Sequence, residues 1–256
     1  MNFFNQEQKG GKQLKVLTWN IHGGDSDTLR YEKLATKIIC EDADIVFLSE
    51  VFNGSTQLMD SLLAERYPYR TSFFEWCSHY FYSKYPIRES KQIQVTNGNE
   101  VIVFSQFNIN GIFVDILGCH LSSNNYSNTS VDLHVKDIKG FLSFARYLRN
   151  ISEASKQRCL ECNSVLQNVN KETPTIILGD FNDISGSIAL DFFHDAGFFD
   201  AWGEGGMGYG ATISFPLPYR IDHIFYNRKL DLCEIKKVDA ENLSDHDALF
   251  GIFGIK

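Results

Sequence analysis

Thr175-Ile176-Ile177-Leu178-Gly179-Asp180-Phe181-Asn182-Asp183 is a short apolar run that stops abruptly in a carboxylate, a carboxamide and a second carboxylate. β-branched and apolar residues bounded by Pro174 and Gly179 read as a buried core strand. In open α/β sheets, ligands gather where such strands end. Asp180 and Asn182 are therefore the first candidates for chemistry, and they need partners from elsewhere in the chain.

The same arrangement recurs upstream. Leu14 to Asn20 alternates as a strand and stops at Asn20, ahead of Gly23-Gly24 and an acidic loop. Leu34, Ile38 and Ile39 fall at helical spacing between Leu29 and Asp42, and Asp44 to Glu50 reads as a second buried strand that terminates in Glu50. Strand, helix and strand predict a crossover unit that sets Asn20 and Glu50 at one edge of one sheet. Ser55 is the expected N-cap of a helix through Leu58, Leu62 and Leu63 toward Arg66.

Four strand-like pieces follow: His79–Ser83, Lys91–Thr96, Glu100–Ile109 and Ile112–His120. Asn97-Gly98 and Asn110-Gly111 are two-residue hairpin signals, so the middle third reads as an antiparallel meander delivering His120 to its end. Between Val131 and Lys171, Ile138, Phe141, Leu142, Ala145 and Leu148 recur among charges and predict one long or broken amphipathic helix. The opening strand comes next, then a helix near Ser187–Ala196 and a Gly-rich loop from Gly203 to Gly210. Strands over Ile221–Tyr226, Leu232–Val238 and Ala248–Phe253 complete the chain.

A chain of 256 residues, 43% hydrophobic and 14% aromatic with 21 Phe, has ample surface for a sizeable core and no compositional mark of disorder. We expect a polar leader over residues 1–13 and a single domain over 14–256. The formal net charge of -8 argues against a broad basic surface that tracks nucleic-acid backbone. No stretch approaches the roughly 18 consecutive apolar residues of a membrane span, so no transmembrane segment is expected. The polar leader lacks a signal-peptide core and is equally compatible with a truncation that removed an anchor, which leaves the compartment open. The six cysteines show no disulfide-framework spacing, and the lone Cys159-x-x-Cys162 pair lacks the second Cys or His pair of a zinc site.

Asn20, Glu50, His120, Asp180 with Asn182, and Asp222 thus sit where apolar runs begin or end, and Ser244-Asp245-His246-Asp247 precedes the final strand. A single Asp or His in such a place is ordinarily a cap or turn residue; their joint occurrence carries the weight. Hard oxygen ligands such as Glu50 and Asp245 suit one magnesium or manganese ion. A His beside a carboxylate can act as a general base, and carboxamides and imidazoles can hold phosphoryl oxygens. Together they are equipment for hydrolysing a phosphate ester.

The ordered set Thr18-Trp19-Asn20-Ile21, Leu48-Ser49-Glu50-Val51, Ser83-Lys84-Tyr85-Pro86-Ile87, Gly118-Cys119-His120-Leu121, Leu178-Gly179-Asp180-Phe181-Asn182, Arg220-Ile221-Asp222-His223-Ile224-Phe225 and Ser244-Asp245-His246 resembles the endonuclease/exonuclease/phosphatase superfamily. The resemblance implies a DNase I-like, four-layer α/β/β/α sandwich of two mostly antiparallel mixed sheets, with a metal-dependent phosphoesterase site at one edge. It also implies that Glu50 binds Mg2+ or Mn2+, that Asn20 positions the ion or the phosphate, and that Asp245 lies beside the ion. His246 would be a base or a phosphate contact, Asp180 would orient or activate water, and Asn182 and His120 would hold phosphoryl oxygens. Asp222 would orient a histidine, either His120 or His246. Water would attack in line with no covalent enzyme intermediate.

Departures from the family pattern narrow the expectation. His22 stands where DNA-repair members carry a second acid, and reads either as a site residue or as a plain loop residue. Phe181-Asn182-Asp183 lacks the Leu-Asn-Tyr-Arg pattern of inositol polyphosphate phosphatases, which disfavours a phosphoinositide. Gly179-Asp180-Phe181-Asn182-Asp183 also fits the opening motif of calcineurin-like metallophosphoesterases, but the companion motifs of that family are missing. Asp183 and Asp247 are expected to be solvated or capping acids, and His79, His134 and His194 structural, while His223 either lines the site or fills a sheet face.

The expected substrate is a phosphate ester on a small molecule, lipid headgroup or nucleic acid. The acidic balance and the aromatic Ser72-Phe73-Phe74-Glu75-Trp76 stretch favour a small-molecule or headgroup phosphodiesterase or phosphatase. A DNA or RNA nuclease is the alternative, and a binding module of the same fold without catalysis a second. No protein partner is implied.

Overall fold

In the computed structural model, residues 12–25, 27–71, 78–95, 101–123, 138–214 and 218–256 are described. The Asn97-Gly98 turn, the Ser72–Trp76 stretch, His134, residues 131–137 and the leader up to residue 11 lie outside them.

The run that opened the sequence reading forms β8, Thr175–Asp180, with every position buried. It passes through Gly179 instead of ending before it. Gly179 has φ 136°, and a Cβ there would lie 1.9 Å from the carbonyl oxygen of Cys119. Only glycine lets β8 run flush beside β7 (Ile112–His120), bringing Asp180 level with His120.

Two sheets of six strands form the centre of the fold. The first is ordered β11 (Leu230–Val238), β12 (Ala248–Ile255), β1 (Gln13–Asn20), β2 (Ile45–Ser49), β4 (Tyr80–Ser83) and β3 (Tyr69–Arg70). The second is ordered β5 (Ile87–Gln94), β6 (Val101–Ile109), β7, β8, β10 (Asp222–Tyr226) and β9 (Phe199–Asp200). Each sheet has one parallel pair at its centre, β1 with β2 and β7 with β8; the other neighbours are antiparallel.

Alternation along the strands sorts the apolar residues into three clusters. Leu14, Val16, Phe47, Val114, Ile116, Ile176, Leu178 and Ile224 meet between the sheets. Leu17, Trp19, Val46 and Leu48 face outward beneath α1 (Thr28–Glu41) and α2 (Asn53–Leu63). Leu117, Ile177 and Phe225 face outward on the other side, beneath α3 (Ile138–Gln167) and α4 (Ile188–Asp195). The result is a four-layer α/β/β/α sandwich. In α1, Tyr31, Leu34, Ala35 and Ile38 are buried at helical spacing, and the Asp27 side chain caps the first turn by accepting from the Arg30 amide.

Several local readings change. His79–Ser83 supplies β4 to the first sheet, so the antiparallel meander comprises β5, β6 and β7 only. Its Asn110-Gly111 turn has φ 52° and 94°, the mirror-image hairpin geometry that this dipeptide favours. Phe52, not Ser55, is the N-cap of α2; Ser55 sits in the first turn, where its hydroxyl donates to the Phe52 carbonyl at 2.8 Å. The expected Gly-rich loop begins as a short helix, α5 (Ala201–Gly205), capped by Asp200. Among the described residues, no helix is long and apolar enough to cross a membrane.

Candidate active site

The parity that sorts the core also aims the polar strand ends. Asn20 continues the inner face of Leu14 and Val16, and Asp180 continues that of Ile176 and Leu178, so the two meet across the gap between the sheets. The Asn20 Nδ2 donates to Asp180 Oδ2 at 3.1 Å and to Glu50 Oε1 at 2.9 Å. His120 lies on the same inner face of β7, with Nε2 3.6 Å from both Glu50 Oε1 and Asp180 Oδ2.

Glu50 departs from this parity. Strand alternation would put it outward with Val46 and Leu48, but its φ of 58° turns the side chain back toward the cleft. Gly23 makes the turn possible: its amide donates to the Glu50 carbonyl at 2.9 Å, and a Cβ on Gly23 would lie 2.2 Å from that oxygen. A left-handed glutamate is costly unless the surroundings hold it, and such strain gathers at functional sites.

Asp222 and His246 form the buried side of the cleft. His246 Nδ1 lies 2.8 Å from Asp222 Oδ2, so the histidine that Asp222 orients is His246, and His246 Nε2 lies 3.8 Å from Asp180 Oδ2. Burial works to lower the His246 pKa, but Asp222, Asp180 and Asp245 outweigh it and push it up to about 10. Burial, helped by Asp180, raises the Asp222 carboxyl, with His246 pulling in the opposite direction. Asp222 Oδ1 has no hydrogen-bond partner among the described residues. The Trp19 indole donates to the His246 carbonyl at 2.8 Å, and the hydroxyl of Thr212 accepts from the Asp222 amide at 3.2 Å.

Asn182, at φ 50°, returns its amide nitrogen to Asp180 Oδ1 at 2.8 Å, while its Nδ2 donates to the Leu121 carbonyl at 2.9 Å. Asp245 is the outlying member, with 61% of its side chain exposed; it meets the others through His22, whose Nδ1 lies 3.5 Å from Asp245 Oδ1 and 3.6 Å from Glu50 Oε2.

Asp180, Asp222 and His246 offer atoms within 4.8 Å of one another, close enough to share an ion. His246 Nδ1 and Asp222 Oδ2 already satisfy each other, however, and both are buried. Glu50 and Asp245 are the more open acids of the cleft. Both offer hard oxygen donors with solvent access, on either side of His22 Nδ1 at 3.6 and 3.5 Å.

Other candidates fall outside the cleft. His223 is fully buried on the outward face of β10, against the rings of Phe181 and Phe225 and the Arg220 guanidinium. Asp183 accepts from Arg158 at 2.8 Å, and Asp247 accepts from the Ala240 amide at 2.7 Å. His79 is buried, edge-on to the His120 ring at 5.3 Å.

Two residues passed over in the sequence support the site from below. Arg30 donates to the carbonyls of Ile21, His22 and Leu243, and Arg158 donates to the Ser122 carbonyl and to Asp183. Both sit in helices among other charges, and no spacing rule separates a bracing arginine from a solvated one.

The profile of the Endonuclease/Exonuclease/phosphatase family matches residues 17–246. The chain belongs to this family. An endonuclease/exonuclease/phosphatase from Bacteroides vulgatus superposes with a TM-score of 0.74 at 15% identity, covering 96% of this chain and 100% of that one. Truncated TDP2 from Caenorhabditis elegans gives 0.71 at 20% identity, covering 94% and 97%. A beta toxin from Staphylococcus aureus gives 0.67 at 18% identity, covering 93% and 99%. At these identities the likeness is one of fold. No curated protein sequence matches the chain significantly. Family membership makes the protein a hydrolase of the phosphoesterase and nuclease type, and the cleft just described is its candidate active site.

Proposed function

We propose that the protein is a divalent-metal-dependent phosphodiesterase or phosphatase that acts by in-line attack of water. The observation that carries the reading is the convergence on Asp180 Oδ2 of Asn20, His120 and His246 from three other strand ends or loops, with Glu50 alongside. So many polar groups around one buried carboxylate serve no packing purpose and match a reaction that gathers charge on phosphoryl oxygens.

Glu50 and Asp245 would hold one Mg2+ or Mn2+ ion, with Asn20 orienting the Glu50 carboxylate. When bound, the ion would supply Lewis-acid stabilisation of a phosphoryl oxygen and of the leaving alkoxide. His246, kept as the imidazolium by Asp222 and Asp180, holds a negative phosphoryl oxygen and is a poor proton acceptor in that form. Asp180 orients the attacking water and receives its proton. His120 steadies the phosphoryl group from the second sheet, and Asn182 keeps Asp180 aligned through its amide while its side chain fixes the loop after β7.

The formal charge of -8 favours a small or headgroup ester over a nucleic acid. A magnesium-dependent panel of bis-p-nitrophenyl phosphate, sphingomyelin, inositol phosphates, nicked and abasic DNA, and single-stranded RNA tests the reading. Turnover of simple diesters that chelator abolishes and magnesium restores is the expected outcome. Full turnover in chelator removes the metal from the mechanism, and cleavage confined to nucleic acid with a steep salt dependence makes the protein a nuclease.

A further inference from the structure

Two polar residues of α3 lie on the helix face that serves the core. Arg158 keeps 2% of its surface exposed and Glu161 none, in the stripe that also buries Cys162 and Val165. Taking an arginine and a glutamate out of water is costly, and well-packed apolar side chains in their place are often as stabilising or more so. Folding alone therefore gives no reason for this pair, and what the two side chains hold supplies one.

Both reach the exit of β7. Glu161 accepts from the Ser122 amide at 2.9 Å and from the Ser122 hydroxyl, and Arg158 Nη1 donates to the Ser122 carbonyl at 2.9 Å. Arg158 Nε also donates to Asp183 Oδ2 at 2.8 Å, just past the exit of β8. Asp183 is held from the far side as well. The Arg220 guanidinium can only donate, so His223 Nδ1, 2.7 Å away, accepts, and His223 Nε2 donates to the Asp183 carbonyl at 3.0 Å. The ladder between β7 and β8 ends at His120 and Asp180. Beyond it the exits are joined by the Leu121 amide to the Asp180 carbonyl at 2.9 Å, by Asn182 Nδ2 to the Leu121 carbonyl at 2.9 Å, and by Arg158 from Ser122 to Asp183.

We propose that Arg158 and Glu161 are positioning residues for catalysis: from α3 they hold the exits of β7 and β8 in register and so fix His120 and Asn182 against Asp180. His120 stands two residues before Ser122, and Asn182 directly precedes Asp183. The 3.6 Å from His120 Nε2 to Asp180 Oδ2 and the 2.8 Å from the Asn182 amide to Asp180 Oδ1 both depend on where these exits lie. Misplacing a reacting group by about 1 Å costs on the order of 100-fold in rate, so a small shift of either exit registers in turnover while the fold persists.

The inference rests on the phosphoesterase reading of the cleft, and steady-state kinetics with bis-p-nitrophenyl phosphate, run well below each variant's melting midpoint, separates the two. Arg158→Met and Glu161→Ala should each lower kcat by about 100-fold and leave KM and the magnesium requirement little changed. Glu161→Gln can still accept from the Ser122 amide and should stay within about threefold of the wild type. Asp183→Ala removes one arm of the brace and should cost about tenfold, which keeps the test open if a variant on α3 does not fold. In amide hydrogen exchange, the Leu121 and Asn182 amides, both bonded to Asp180, should exchange faster in Arg158→Met than in the wild type. Variants, Asp183→Ala included, that melt at lower temperature yet keep the wild-type kcat would make the brace a matter of stability alone and overturn the proposal. A loss confined to KM or to the magnesium requirement would overturn it too, and either result leaves the phosphoesterase reading standing. A wild type that hydrolyses no phosphate ester would remove both.

Discussion

Asp180, Asp222 and His246 keep 2, 1 and 9% of their side chains exposed, whereas Glu50, Asp245 and His22, on the other side of Asn20, keep 21, 61 and 67%. Both groups combine carboxylates with an imidazole, but they satisfy their charges differently. In the buried group the histidine is locked at 2.8 Å to one acid, and together they form a fixed electrostatic surface. In the open group no carboxylate approaches the imidazole closer than 3.5 Å. Burial favours internal pairing in the first group, since an unpaired charge there would be costly, and leaves Asp222 Oδ1 as its unpartnered atom among the described residues. Exposure leaves the second group's charges to be screened by solvent. The proposed mechanism gives phosphate and water to the buried group and the ion to the open one.

The comparison can be broken by substitution. The largest effect is expected in the buried group: His246→Ala or Asp180→Ala should lower kcat by about 1000-fold, because neither water nor added metal replaces a preorganised buried group. Steady-state kinetics across magnesium concentrations checks this, and rescue by excess metal would place those residues in the open group. Glu50→Ala should cost about 100-fold at moderate magnesium and recover in part as the ion is raised. A loss that magnesium leaves untouched would take Glu50 out of the ion's shell.

A smaller, separate effect concerns stability. Burial, together with the charge of His120, holds the His79 pKa down to about 3 from its usual 6.5. The unfolded chain therefore binds a proton at His79 between about pH 6.5 and 3 while the folded chain does not. The neutral imidazole's contribution is complete above pH 6.5 and falls away as the pH drops through that window, by on the order of 3–5 kcal/mol. Chemical denaturation of the wild type and His79→Gln from pH 7 to 4 should show the difference between them narrowing with acidity. A constant difference would mean that His79 titrates normally.

Much of the fold was legible because an apolar run that ends in a polar residue is a strong local signal. Asn20, His120, Asp180 and Asp222 could be placed at strand ends from such runs, but that Asn20 and Asp180 face each other across the gap emerges only once the two sheets pack. Glu50 was likewise placed at the end of its strand, at one sheet edge with Asn20, yet its direction depends on a left-handed φ and on space left by Gly23, and neither follows from a pattern of apolar positions. Gly179 looked like a strand boundary because its need for close approach to Cys119 arises only once β7 lies beside β8. His79–Ser83 looked like part of the meander because its apolar pattern suits a buried strand in either sheet; pairing with β2 decides the matter. The braces from Arg30 and Arg158 span long stretches of chain and leave no local signature.

The division between the two groups is tested most directly by the magnesium dependence of diester turnover in Glu50→Gln and Asp222→Asn, each compared with the wild type. Glu50→Gln should raise the magnesium concentration needed for half-maximal rate by at least about tenfold, whereas Asp222→Asn should lower the maximal rate and leave that concentration unchanged. Equal shifts in the magnesium requirement for both variants, or a wild type that turns over at full rate in chelator, would contradict the account.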